Sequence, residues 1–151
     1  MEEKLKVCEL KLTNKSKIKA TQRDQVQSSE KAYKLLLSVF DTETIQYRES
    51  LKMLLLNRAK KVLGICSISE GGINETSADL HLIMQAAILG NAFGIILAHN
   101  HPSGHLKPSL ADDQLTQRVK EVTKLLDIHL HDHLIITDES YYSYADEGHI
   151  I

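Results

Sequence analysis

Two imidazoles two residues apart, followed at fixed distance by a serine and a carboxylate, are the side chains in this sequence best suited to chemistry. His99 and His101 end a continuous apolar run of strand length over residues 92–98. Side chains alternate along a strand, so residues i and i+2 share a face. Two imidazoles on one face can share a zinc ion at roughly 2.0–2.1 Å each. Pro102-Ser103-Gly104 then predicts a tight turn, with Pro at its second position and Gly at its fourth. That turn brings the start of a helix near Ser109 back toward the histidines and makes Asp112 the third candidate ligand. Two histidines and one carboxylate leave a fourth position for water, as in a catalytic rather than a structural zinc site. Ser109 and Asp112 also have the spacing of a capping box, a purely structural role. The conjunction of strand, HxH, turn, helix start and acid is what points to a metal.

The elements needed to position these residues are legible from periodicity. Ala32, Leu35, Leu36, Val39 and Phe40 have helical spacing, with Ser29 as the expected cap. Residues 51–56 and 62–68 read as two strands joined by a short turn, with Gly71-Gly72 ending the second. Thr76 and Asp79 suggest a capped helix with the stripe Leu80, Ile83, Met84, Ala87 and Ile88, stopped at Gly90-Asn91. A last helix spans about residues 109–126, with Leu115, Val119, Val122 and Leu126 on one face. Residues 129–137 and 141–144 read as closing strands. On this spacing His129, His131 and His133 are expected on one face of the first, as a polar sheet face. His105 is expected on the loop surface. The order predicts an α/β fold, a three-layer mixed β-sheet flanked by helices.

With 151 residues and a formal net charge of −2, the chain has the size and balance of one globular domain in water. No apolar run approaches the ~20 residues of a membrane-spanning helix, and the first residues lack a secretory pattern. Cys8 and Cys66 form no CxxC pair, which suggests neither a disulfide scaffold nor a thiolate zinc finger, and a reducing, cytoplasmic setting is expected. Cys66 lies in an apolar run and is expected to pack as a small hydrophobe. Residues 1–34 carry nine basic side chains against five acidic ones, leaving nine against fifteen in the rest. The expected organisation is a basic N-terminal arm or edge strand over residues 1–28, and the α/β domain over 29–151. Such an arm suits a phosphate backbone, but no aromatic residue before Tyr33 is interleaved for base stacking.

The pattern His99-x-His101, seven residues, Ser109, two residues, Asp112 resembles the signature of the JAB/MPN (JAMM) metalloprotease superfamily. The wording from His99 to Gly104, with Pro108-Ser109 and Asp112, is similar to its RadC branch. Asp132-His133 before Leu134-Ile135-Ile136, and Tyr144-Ala145-Asp146-Glu147-Gly148, extend the resemblance from about Ser29 to the C-terminus. The resemblance implies a JAB/MPN architecture, akin to that of cytidine deaminases. It implies a zinc hydrolase of peptide or isopeptide bonds, with Zn2+ held by His99, His101 and Asp112. It also implies a glutamate at the start of an early strand as general base, the position of Glu49, and the Ser109 hydroxyl as a donor to the developing oxyanion. A different reading makes the chain a DNA-repair-associated accessory protein that binds nucleic acid through the basic arm, its metal site structural or vestigial.

Overall fold

The apolar runs form the expected strands, but the sheet assembles them out of chain order. The computed structural model describes residues 16–71 and 79–150. The elements are α1 (Ser29–Leu37), β1 (Ser50–Leu56), β2 (Val62–Glu70), α2 (Leu80–Leu89), β3 (Gly94–Asn100), α3 (Leu110–Leu125), β4 (His129–Ile136) and β5 (Tyr141–Ser143). They build a five-stranded sheet in the order β2-β1-β3-β4-β5. β1 is antiparallel to β2 and β3, β3 and β4 are parallel, and β5 returns antiparallel to β4. Parallel neighbours cannot be joined by a hairpin; α3 is the crossover between β3 and β4.

Alternation sorts the central strands between two apolar layers. Leu51, Met53 and Leu55 of β1, with Ile95 and Leu97 of β3, pack against Ile83, Met84 and Ala87 of α2 and Val119 of α3. Leu54, Leu56, Ile96 and Ala98 face the other way, onto Ala32 and Leu36 of α1. A strand covered on both faces needs no polar alternation, which is why β3 reads as unbroken hydrophobe in the sequence and is buried along its whole length. The result is the three-layer α/β fold expected.

Local chemistry starts and stops the helices. Ser28, rather than Ser29, caps α1 by accepting the Lys31 N–H. Val39 of the expected stripe lies beyond the helix and is exposed. α2 starts at Leu80 with the Asp79 carboxylate accepting from His81 N–H; Thr76 lies outside the described residues. Ile88 of its expected stripe is 53% exposed, because the buried face comprises Ile83, Met84 and Ala87. Asn91 adopts a left-handed φ of 53° just past the helix. Arg23 Nη1 donates to the Val62 and Leu63 carbonyls, and Gln25 bridges Lys61, so the chain before α1 lies against the start of β2. Residues 1–15 of the expected arm or edge strand lie outside the described residues. Among the described residues no helix is long and apolar enough to cross a membrane.

One expectation fails instructively. Leu130 pairs with Ile95 and Asp132 with Ile96, leaving His131 as an extra, unpaired residue. Such a bulge shifts the alternation by one. His131 therefore stands with Leu56 and Ile96 on the α1 side, stacked on His129 at 5.9 Å, whereas His133 turns to the α3 side and meets His99 and Thr116. The three histidines do not form one polar face. Gly94 leaves room for the His131 ring, since a Cβ there would lie 2.3 Å from His131 Nε2.

Burial ranks these positions. Leu97→Ala, in the fully buried centre of β3, is expected to cost about 2–5 kcal/mol in urea denaturation. Ile88→Ala is expected to stay within about 0.5 kcal/mol of the parent.

Candidate metal centre

The candidate site lies at the carboxyl end of β3, beneath the first turn of α3. β3 carries its residues in strict alternation here. His99 faces the α2/α3 layer while Asn100, between the two histidines, points the other way. Asn100 has no exposed surface. Its Nδ2 donates to the Ile45 and Arg48 carbonyls at 2.7 and 2.8 Å, and its Oδ1 accepts from Ser50 N–H at 2.8 Å. One buried amide thus pins the segment leading into β1.

Past Asn100 the chain turns. Gly104 N–H donates to the His101 carbonyl, closing the Pro-Ser-Gly turn, and Gly104 takes φ 78°, a conformation that suits a residue without Cβ. His105 is on the surface, as expected, and its carbonyl accepts from His101 Nδ1 at 2.7 Å. α3 then opens on a complete capping box: Asp112 N–H donates to Ser109 Oγ at 3.1 Å, and Ser109 N–H to Asp112 Oδ2 at 2.7 Å. Ser109 is itself exposed. The cap fixes the rotamer of Asp112 and leaves Oδ1 directed at the histidines, so the structural and the metal-binding readings of this pair are compatible.

Three ligand atoms converge. His99 Nε2 lies 3.0 Å from Asp112 Oδ1 and 3.0 Å from His101 Nε2, and His101 Nε2 lies 3.4 Å from Asp112 Oδ2. His99, His101 and Asp112 form a group able to hold a metal ion, with one ligand atom from each within 4.8 Å of the others. The donor count favours a cation. A carbonyl only accepts, so His101 Nδ1 carries a proton and the neutral ring presents a lone pair at Nε2. That lone pair and the carboxylate face each other across the site with no donor between them. Burial opposes the charge on Asp112, but the His101 and His99 imidazoles and the Ser109 N–H outweigh it and hold its pKa far below the usual carboxylate range. Burial likewise opposes protonation of His101, yet Asp112, the His105 carbonyl and the charge of Glu49 raise its pKa on balance. Both shifts describe a pocket that attracts positive charge.

Glu49 directly precedes β1. The β1–β3 ladder ends at the pair Leu51–His99, two residues after Glu49 and two before His101. Glu49 is half-buried and within electrostatic reach of His101. Glu70, by contrast, ends β2 on the far side of β1; Glu75 lies outside the described residues.

Two residues that the spacing argument missed complete the surroundings. His133 Nε2 lies 2.8 Å from His99 Nδ1, and His133 Nδ1 lies 2.6 Å from Thr116 Oγ1. Thr116, one turn beyond Asp112, donates to the Asp112 carbonyl at 2.7 Å. The period-2 reading of β4 hid His133 because the bulge is not written in the hydrophobic pattern. Cys66 takes no part: it packs against the core, and burial pushes its thiol pKa up.

Comparison with known proteins agrees with this geometry. Residues 26–149 match the family model described as RadC-like JAB domain. A UPF0758 protein of Porphyromonas gingivalis is 48% identical over 127 residues, 83% of this chain and 55% of the relative. One of Flavobacterium johnsoniae is 45% identical over 100 residues, 66% of this chain and 44% of that protein. The UPF0758 protein YkfG of Escherichia coli is 40% identical over 101 residues, 67% of this chain and 64% of its own length. The chain spans about half the length of the first two.

Asn100→Ala leaves the Ile45 and Arg48 carbonyls and the Ser50 N–H without a side-chain partner. At about 1–3 kcal/mol for the buried Ile45 carbonyl left unsatisfied, and less for each of the part-buried Arg48 and Ser50 groups, a loss of roughly 2–5 kcal/mol in chemical denaturation is expected. Hydrogen exchange should accelerate first around Ser50.

Proposed function

The chain belongs to the RadC-like JAB domain family, and on that footing we propose that it is a zinc-dependent hydrolase of peptide or isopeptide bonds. The observation that carries the reading is the meeting of His99, His101 and Asp112, with ligand atoms 3.0–3.4 Å apart. Imidazole and carboxylate donors in a two-to-one set fit zinc better than magnesium or calcium, which favour all-oxygen sites.

When bound there, zinc supplies a Lewis acid and brings the pKa of a water molecule near neutrality. The protein's own groups do the remaining work. Glu49, whose charge reaches His101, takes the proton of the attacking water and returns it to the departing amine, as base and then acid. Ser109 Oγ accepts from Asp112 N–H in the cap. Its own proton remains to be donated, and we assign it to the oxyanion that develops on the substrate carbonyl. Asp112 stays ionised, so the site's charge is set before substrate arrives.

A groove of about 250 Å3 adjoins His101 and is lined by Ile45, Gln46, Thr137, Asp138 and the 102–104 turn. It is a cleft through which an extended chain can approach the ligands. Residues 1–15 of the basic arm lie outside the described residues.

The expected stoichiometry is about one zinc per chain by metal analysis. His99→Ala and Asp112→Ala should abolish zinc binding. Glu49→Gln should keep zinc and lower turnover of peptide or isopeptide probes by about 10²–10⁴-fold. Loss of zinc in that variant would make Glu49 a ligand instead of a base. Ser109→Ala should lower kcat by about 10²–10³-fold and, separately, cost about 1 kcal/mol of stability through the lost cap. A folded, zinc-free protein that takes up no added zinc would overturn the proposal.

A further inference from the structure

His133 has no exposed surface, and its two ring nitrogens are each within hydrogen-bond distance of a group tied to the ligand set. We infer that His133, backed by Thr116, is a positioning residue: it fixes His99 in the tautomer whose Nε2 lone pair faces the metal site. The inference rests on the metal-centre reading above and adds to it the group that makes His99 a ligand.

The assignment follows from counting protons along the chain of contacts. The Asp112 carbonyl can only accept, so the single Thr116 hydroxyl proton is committed to it at 2.7 Å. Thr116 Oγ1 must then accept at its 2.6 Å contact with His133, which places a proton on His133 Nδ1. The His133 ring has no exposed surface, and its nitrogens meet only a hydroxyl and an imidazole, neither of which balances a buried charge, so the ring is neutral. A neutral ring protonated at Nδ1 has a lone pair at Nε2, and this accepts from His99 Nδ1 at 2.8 Å. His99 Nδ1 therefore carries the proton, and His99 Nε2 is left bare.

The alternative is a real competitor. Asp112 Oδ1, 3.0 Å from His99 Nε2, would hold a proton on that nitrogen and block it as a ligand. His133 offers the proton a buried acceptor on the other side of the ring. Metal-bound histidines are commonly oriented by a hydrogen bond of this kind; here the acceptor is a second imidazole, itself set by a hydroxyl of the helix that carries Asp112. A flip of the His133 ring would put carbon atoms opposite both partners, losing two buried hydrogen bonds. Tyr144 stacks on the ring at 5.1 Å and 9°, and its hydroxyl donates to Asp113 at 2.7 Å. The main chain is held as well, since the Asp132 carboxylate accepts from His133 N–H, Ala145 N–H and the Ser143 hydroxyl.

Two measurements on the full chain test this. In the metal-free protein, long-range ¹H–¹⁵N spectra of labelled histidines should show His99 and His133 as Nδ1–H tautomers. His133→Leu should shift His99 toward Nε2–H and weaken Zn2+ binding, measured by competition with a chromophoric chelator, by about 10–100-fold. His133→Gln keeps an acceptor near the position of Nε2 and should recover most of that affinity. Should the leucine variant not fold, Thr116→Val removes the acceptor of the His133 proton and should weaken binding in the same direction, with Thr116→Ser restoring it. An Nε2–H tautomer at His99 in the parent protein would overturn the inference. So would parental zinc affinity in folded His133→Leu or Thr116→Val. If the parent bound no Zn2+ at all, the proposed function would fall, while the tautomer spectra would still decide the role of His133.

Discussion

The structure is organised around a repulsion. Two imidazole nitrogens and a carboxylate are held within hydrogen-bond distance of one another, with a lone pair on His101 and the charge on Asp112 turned inward. Left free, such groups would rotate toward water. They are kept together because each is anchored from behind: His99 by His133, His101 by the His105 carbonyl, Asp112 by the cap of α3. An arrangement of converging acceptors is stabilised by a cation, and the energy that assembles it comes from the apolar layers on both faces of β3 and from these three backing bonds.

Alternation along one strand divides the labour. His99 looks toward α3 and contributes a ligand, whereas Asn100 looks toward α1 and ties down the approach to β1. Glu49 sits one residue before that tie. The groups on the α3 side are therefore located by bonds made on the α1 side, with the central strand as the rigid spacer. The site occupies the place where β3 has an antiparallel neighbour in β1 and a parallel one in β4.

Much of this was legible in the sequence because it is local. The HxH pair, the turn and the cap lie within fourteen consecutive residues, 99–112, and depend on alternation and helix-start chemistry alone. The apolar runs marked the strands for the same reason. Glu49 came from family resemblance, since its closeness to His101 is a matter of ladder register that no local pattern encodes. The partners of Asn100 at Ile45, Arg48 and Ser50 are some fifty residues distant and left no periodic trace. His133 was concealed for a sharper reason: a strictly alternating reading assigns it to the same side as His131, and one unpaired residue reverses that assignment. The exposure of Ile88 reflects packing of α2 against the sheet, which helical spacing cannot resolve to the last turn.

The bulge at His131 acts on β4 as an inserted nucleotide acts on a reading frame. Every side chain downstream of it, from Asp132 through Ile136, has its inward or outward sense set by that single surplus residue. Were His131 instead paired opposite Ile96, every later residue would move one position along β3. Asp132 would then stand opposite Leu97, and the imidazole behind His99 would be exchanged for an aspartate. In this fold, one surplus residue on β4 thereby governs which chemistry that strand presents behind β3.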